Sequence, residues 1–268
     1  MAGDSSAAAG LRLGLMFPAV FGILGLVALL DGLVGTIPAR AIGLVLAWIA
    51  ARLLVRGTSG SLAHYGWVKP TTGSVLGGLG LGFGLVTAVT VVMIVAGWFE
   101  PRFDGFDPAL VMAVVVGVLV AVFEEALFRS VWFAGMEPVF GTHLTVWVSA
   151  LLFGAAHLAN PGATPLSALA VTLSAGPLLG YAFAATRNLW FVSGIHAGWN
   201  IALGAVFGFA VSGNETESSL IGGDVSGPAL GTGGQFGPEA TLQTILIVGL
   251  VAVIYFRRTT ASKPIWAV

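Results

Sequence analysis

PALVMAVVVGVLVAVFEEALFRSVWFA, residues 108–134, is the stretch whose reading decides the fold. Its first half carries no charge and runs longer than a buried helix of a soluble domain needs. A helix crosses a bilayer with about 20 mostly apolar residues. In hydrocarbon only a helix or a closed barrel satisfies its own backbone. Barrel strands alternate with period two, and this run does not. Glu124, Glu125 and Arg129 stand inside it. A charged side chain at the centre of a span costs about 2.5–3.5 kcal/mol on insertion scales, so such residues point to function.

Seven further runs of the same kind flank it, giving candidate spans at 12–34, 39–56, 74–98, 108–134, 143–160, 164–185, 189–211 and 240–257. The sequence predicts an all-α, polytopic integral membrane protein of about eight transmembrane helices with a buried polar catalytic cavity. Composition agrees: 57% of the 268 residues are hydrophobic and 9% charged, where a soluble domain carries about a quarter charged residues. Mean hydropathy is +0.96. The net charge of −1 gives no basic surface for nucleic acid. With no cysteine, disulfides, thiolate catalysis and cysteine-ligated zinc are excluded. The expected partners are the lipid bilayer and a membrane-associated peptide or protein substrate.

The chain divides into N-terminal transmembrane helices (1–104), a core that carries the motifs (105–211), a flexible, solvent-exposed polar loop (212–239), and a last span with a basic tail (240–268). The N-terminus, MAGDSSAAAGLR, leads directly into a long apolar run, read as a retained first span. Residues 57–73, with His64, Tyr65, Trp67 and Lys69, read as an interfacial connection. Arg12, Arg56, Lys69, Arg187, Arg257, Arg258 and Lys263 fall on one side of an eight-span arrangement, and the acidic loop falls on the other. The positive-inside rule then puts both termini in the cytoplasm. Gly77, Gly78, Gly80, Gly82 and Gly84 crowd the third span. They follow no strand, so close helix packing explains them better than a phosphate loop.

Three short patterns carry chemistry. Glu125 and Arg129 are spaced i, i+4, as an ion pair requires, whereas Glu124 points about 100° away and has no partner on its own helix. Folding alone accounts for the pair but not for Glu124. His157 follows Phe153 at i+4, with Gly154, Ala155 and Ala156 leaving room beside the ring. His196 and Asn200 share a helical face with small residues between them, as interhelical glue or as donors into a cavity. Ser130 and Ser193 lie near these motifs, but neither has a clear base on its own face, which favours activated water over an acyl-enzyme.

Taken in order, Glu124-Glu125-x-x-x-Arg129, Phe153-x-x-x-His157 and His196-x-x-x-Asn200 resemble the CPBP family of CAAX proteases and bacteriocin-processing enzymes, which includes the Abi self-immunity proteins. The resemblance covers roughly residues 105–210. It implies an intramembrane endopeptidase in an eight-helix bundle. Glu124 would activate water, His157 would assist or hold that water, His196 and Asn200 would stabilise the oxyanion, and Glu125 and Arg129 would support the site. A carboxylate in a desolvated cavity is a stronger base than in water, and donors aimed at a developing oxyanion are effective there.

No cofactor is required by such a mechanism. The alternative is a divalent metal, zinc, on Glu124, His157 and His196, although the spacing differs from H-E-x-x-H. Competing functions are a catalytically silent immunity or assembly protein and a proton-coupled transporter, the latter disfavoured by the lack of an internal repeat. Helix counting places Glu124 and His157 near mid-span and predicts a water-accessible cavity open toward the cytoplasm. The expected location is a bacterial or archaeal plasma membrane. Substrate identity, prenylated or not, is not written in these residues.

Overall fold

The computed structural model describes residues 6–56 and 61–261, with side chains from 14 to 55 and 61 to 260. Lys263 and the side chains of Arg12 and Arg56 lie outside the described residues. In chain order the elements are α1 (Ser6–Val34), α2 (Thr36–Arg56), α3 (Thr72–Val95), β1 (Phe99–Phe103), α4 (Ala109–Glu125), a π-helical stretch (Ala126–Phe133), α5 (Ala134–Phe140), α6 (Thr142–Ala156), α7 (Pro165–Leu173), α8 (Ala175–Thr186), α9 (Leu189–Asn200), a second π-helical stretch (Ile201–Val206), β2 (Ile221–Val225), α10 (Ala229–Thr232) and α11 (Leu242–Ala261). Eight helices are long and apolar enough to span a membrane, among them Ala109–Phe140, Thr142–Ala159, Pro165–Thr186 and Leu189–Val206. The protein is an all-α, multi-pass integral membrane protein.

Local sequence sets the helix starts. Thr71 and Ser74 form a reciprocal capping box at α3, and Thr164 and Ser167 form another at α7, with Pro165 in the first turn. Asn188 accepts from the Phe191 N–H to cap α9. The turn from α8 to α9 is only two residues long because Arg187 takes a left-handed conformation at φ 49°, which is costly for a residue with a Cβ. A 2.6 Å hydrogen bond to Glu137 and the rings of Phe133 and Phe183 under its guanidinium hold it there.

In the α3–α9 pair backbone packs directly against backbone. A Cβ on Gly78 would lie 2.3 Å from the Phe191 carbonyl oxygen, one on Gly82 1.9 Å from that of Ile195, and one on Gly198 2.2 Å from that of Leu79. Two of the five glycines expected to pack α3 carry the contact; Gly80 and Gly84 have open space beside them.

Helix alternation sorts the connections to two ends. Lys69, Arg187, Arg257 and Arg258 lie at the basic end, where the described chain begins and finishes. Asp31, Glu100, Asp104, Asp107, Glu215, Glu217 and Asp224 lie at the acidic end with Arg40 and Arg102. The acidic end departs from the expected flexible loop. β2 pairs antiparallel with β1 from Phe99↔Val225 to Phe103↔Ile221. The Gly213 N–H donates to the Phe236 carbonyl, and Thr232, Phe236 and Glu239 are buried. Low hydrophobicity suggested disorder, but here β1 satisfies the backbone of a Gly-rich strand and Phe236 supplies an apolar anchor. No spanning strand is present among the described residues, and this short ribbon lies outside the spans.

Candidate functional site

Glu124 and Glu125 sit where α4 changes to π-helical geometry, and Asn200 sits at the same change in α9. Beyond Glu125 the helix widens, with the Ala134 N–H reaching the carbonyl of Arg129; beyond Asn200 the Phe207 N–H reaches that of Ala202. Such widened turns occur often at functional sites. Here they follow directly on motif residues in two helices that pack against each other.

The two carboxylates separate as helical spacing predicted. The Glu125 and Arg129 side chains are fully buried, and Arg129 Nη1 donates to Glu125 Oε1 at 3.0 Å. The Arg129 guanidinium also covers the Phe153 ring at 4.5 Å. Glu125 does more than pair with Arg129, because the same Oε1 lies 3.0 Å from His196 Nδ1. A carboxylate accepts, so Nδ1 carries the hydrogen and Nε2 points away from Glu125. That Nε2 is 3.9 Å from Glu124 Oε2, an oxygen with no hydrogen-bond partner.

His157 differs from its expected depth. It is not at mid-span: α6 ends at Ala156, and His157 opens a single 3-10 turn, His157–Ala159. The span counted from residue 143 runs toward the acidic end and closes just past His157, so the ring lies at the helix terminus. Its Nδ1 is 2.7 Å from the Phe153 carbonyl, which can only accept. Nδ1 therefore donates, and in the neutral ring Nε2 is a free acceptor. The ring rests against Phe153 at 4.6 Å between centroids. Phe153 thus touches His157, Arg129 and His196 together.

Asn200 Nδ2 donates to the Gly117 carbonyl at 3.3 Å. A Cβ at Gly117 would meet that of Asn200 at 3.3 Å, so glycine admits α9 to this distance. Glu124, His157, His196 and Asn200 all line one cavity of about 460 Å³, within the size range of small-molecule and peptide sites. The motifs placed on three helices do converge. The Ser130 and Ser193 hydroxyls are buried without hydrogen-bond partners, so neither is poised against a base.

The cavity opens at the end of the bundle opposite to the one where the described chain begins and finishes, whereas both were expected on the cytoplasmic side. Its outer wall is made by Asp31, Thr36, Arg40, Asn160 and residues 211–212 and 214–218, all at the acidic end. The described chain begins and finishes at the other end. Cytoplasmic chain ends and a cytoplasmic cavity mouth therefore exclude each other, because counting depth along single spans does not tell toward which end the helices splay.

Glu239, the last residue of the segment expected to be a solvent-exposed loop, is buried beside the site. Oε1 accepts from the indole N–H of Trp199 at 3.0 Å, and Oε2 accepts from the Ser212 backbone N–H and from the Ser212 hydroxyl. Glu239, His157, His196 and Trp199 line a second, small cavity behind the histidines. Burial holds the Glu239 carboxyl above the usual carboxylate range, opposed by the proximity of His157 and by the Ser212 hydrogen bonds. A lone acid in a Gly-rich stretch has no spacing signature. The only hint was its position just ahead of the last span.

Among the described residues no three His, Asp or Glu side chains are placed to hold a metal ion together.

Comparison with known proteins accords with the motif reading. Residues 106–202 match the family described as type II CAAX prenyl endopeptidase Rce1-like. The match contains all seven motif residues and leaves α1–α3 and everything beyond Ala202 outside it. At family level it supports a CAAX-type endopeptidase acting on membrane-associated peptide. No curated protein matches the chain.

Proposed function

We propose that this chain is an intramembrane endopeptidase that hydrolyses a peptide bond of a membrane-associated protein or peptide with water activated by Glu124. One observation carries the reading above all: Glu124 keeps a buried, unpartnered carboxylate oxygen beside His196, at the wall of a cavity that it lines together with His157, His196 and Asn200. A carboxylate without partners inside a membrane bundle is expensive, and a base needs a free lone pair.

The side chains suit the steps of peptide hydrolysis. Glu124 takes a proton from water as the oxygen attacks the carbonyl carbon. His157 accepts the second water hydrogen at Nε2 and so fixes the orientation of that water. Negative charge then grows on the carbonyl oxygen. Asn200 has a second amide hydrogen for it beyond the one given to Gly117. His196 can donate from Nε2 only as the imidazolium, because Glu125 already holds the Nδ1 hydrogen. Arg129 keeps Glu125 in place by pairing with the same oxygen. The proton on Glu124 returns to the leaving amine. No step requires a resident metal; activity retained after chelation, with metal analysis of the protein, is the expected result.

Positive-inside bias places the basic end in the cytoplasm, so the cavity receives substrate from the opposite face. The chain has no cysteine, which makes a single introduced thiol readable. Thr216→Cys, at the cavity wall, should react with an impermeant maleimide in intact cells; reaction only after permeabilisation would reverse the orientation. The function itself is tested by Glu124→Ala and His157→Ala in folded protein with a membrane-anchored peptide. Unchanged turnover in both variants would refute the hydrolase reading.

A further inference from the structure

Arg40 is the one lysine or arginine among the described residues lining the main cavity, where Asp31, Glu124, Glu215 and Glu217 supply carboxylates. Its Nη2 lies 3.3 Å from Asp31 Oδ2. That contact uses one of three guanidinium nitrogens. Nε and Nη1 are buried and have no hydrogen-bond partner. Together they carry three of the five N–H donors of the group. Buried donors left without acceptors are rare in folded proteins and call for an explanation.

The surroundings do not explain them. Arg40 lies near the N-terminus of α2 and Asp31 near the C-terminus of α1. Helix dipoles favour the opposite placement, anions at N-termini and cations at C-termini. Neither residue serves its helix, so the pair is not a capping device. Lipid does not explain the arginine either, because the side chain turns inward: its guanidinium is 5.7 Å from the centre of the Phe123 ring. Phe123 immediately precedes Glu124. A Cβ on Gly43, one turn further along α2, would lie 2.5 Å from the same ring. The close α2–α4 contact at Gly43 fixes Arg40 relative to the reacting carboxylate.

We infer that Arg40 is an anion subsite of the cavity, and that the substrate presents a carboxylate to it while the scissile bond lies at Glu124. The carboxylate is a peptide's C-terminal group or an acidic side chain. A guanidinium matches either by paired N–H donors in one plane. The acidic wall repels a carboxylate elsewhere in the cavity, so recognition at Arg40 selects the register as well as the charge. Asp31 balances Arg40 in the empty cavity and competes with the incoming anion. This inference rests on the reading of the cavity as the substrate site.

Binding and cleavage test the two readings apart. Three fluorescent acylated hexapeptides are titrated onto the full-length protein in detergent micelles. One has a free C-terminal acid and neutral side chains, the second is its amide, and the third is the amide with one glutamate. Wild-type protein should bind the acid, the glutamate peptide, or both, about tenfold or more tightly than the plain amide, as expected of a charge-assisted pair. Preference for the acid identifies the C-terminal source; preference for the glutamate peptide identifies the side chain. Arg40→Gln should abolish the preference and leave affinity for the plain amide unchanged. Asp31→Asn should shift the other way and tighten the anionic peptide alone, which a merely structural ion pair would not do. Equal binding of all three peptides, or a preference that survives in Arg40→Gln, overturns the subsite. Cleavage of the same peptides by wild type and by Glu124→Gln is scored separately. Its failure would remove the hydrolase reading while the binding result stands.

Discussion

The two faces of α9 are built to opposite rules. Toward α3 it has no side chains to spare: Gly194 and Gly198 lie against the α3 backbone, and Gly78 and Gly82 lie against its own. Toward α4 it presents His196 and Asn200 across a cavity of about 460 Å³. One face excludes every added atom and the other keeps space open. The difference teaches how a polar site holds its geometry inside a bundle. Without a hydrophobic driving force between spans, backbone contact through small residues gives the closest attachment available. A helix so fixed from behind can carry unpaired polar groups in front without sliding to satisfy them.

Substitutions on the two faces should therefore fail differently. On the open side, where α4 faces α9 across the cavity, loss of the base on α4 should remove activity and leave stability. Glu124→Gln keeps the shape of the side chain and removes the base. We expect peptide cleavage to fall about 10³-fold or more, near the upper range for general-base catalysis, with the melting temperature in detergent unchanged. A variant that lost both together would place Glu124 with the structural pair instead.

On the packed face, stability and activity should go together. Gly82→Val puts its first added atom 1.9 Å from the Ile195 carbonyl oxygen, so backbone must move. Overpacking of this kind costs about 1–3 kcal/mol or more. A shift of about 1 Å at His196 and Asn200 would lower turnover by about 100-fold. Gly80→Val, two residues away and facing open space, should do neither. Loss of turnover in Gly82→Val with wild-type stability would break the comparison.

Asn200→Ala should lie between the two. It removes a donor from the cavity and frees the Gly117 carbonyl, so turnover should drop by about 100-fold, as for an oxyanion-hole donor, with a small loss of stability. A KM effect without a kcat effect would make Asn200 a ground-state binding residue.

The two faces were unequally legible in the sequence. Eight apolar runs locate the spans to within a few residues, except that the fourth continues to Phe140 and the seventh stops at Val206, because hydrophobic length is a local property. The i, i+4 spacings of Glu125 with Arg129 and of His196 with Asn200 are also local, and both hold. What was not legible depends on how helices cross. Which two of the five α3 glycines make contact is one such feature, and the direction in which the cavity opens is another. Arg40 and Glu239 reach the site from elements outside the motif helices, and their own neighbours in sequence say nothing of it. Glu125 shows the limit most closely. Its partner Arg129 could be read along the helix, but its second partner, His196, lies 71 residues away.

A third face of α9 sharpens the comparison, with the smallest expected effect. Trp199 leans on Glu239, whose other oxygen is held by Ser212. Burial raises the Glu239 carboxyl above its ordinary value of 4.5. The folded protein then holds this proton more tightly than the unfolded chain. Its contribution to stability is complete below pH 4.5 and is lost as pH rises through the folded value. Glu239→Gln cannot titrate, so the melting temperature of the wild type relative to this variant should decline as pH is raised from below 4.5. Turnover at neutral pH should change little, since neither cavity loses its histidines. Parallel melting curves across that range would mean that the Ser212 and Trp199 hydrogen bonds fully offset the burial. Glu239 would then serve as an ordinary carboxylate strap, and the third face of α9 would belong with the packed one.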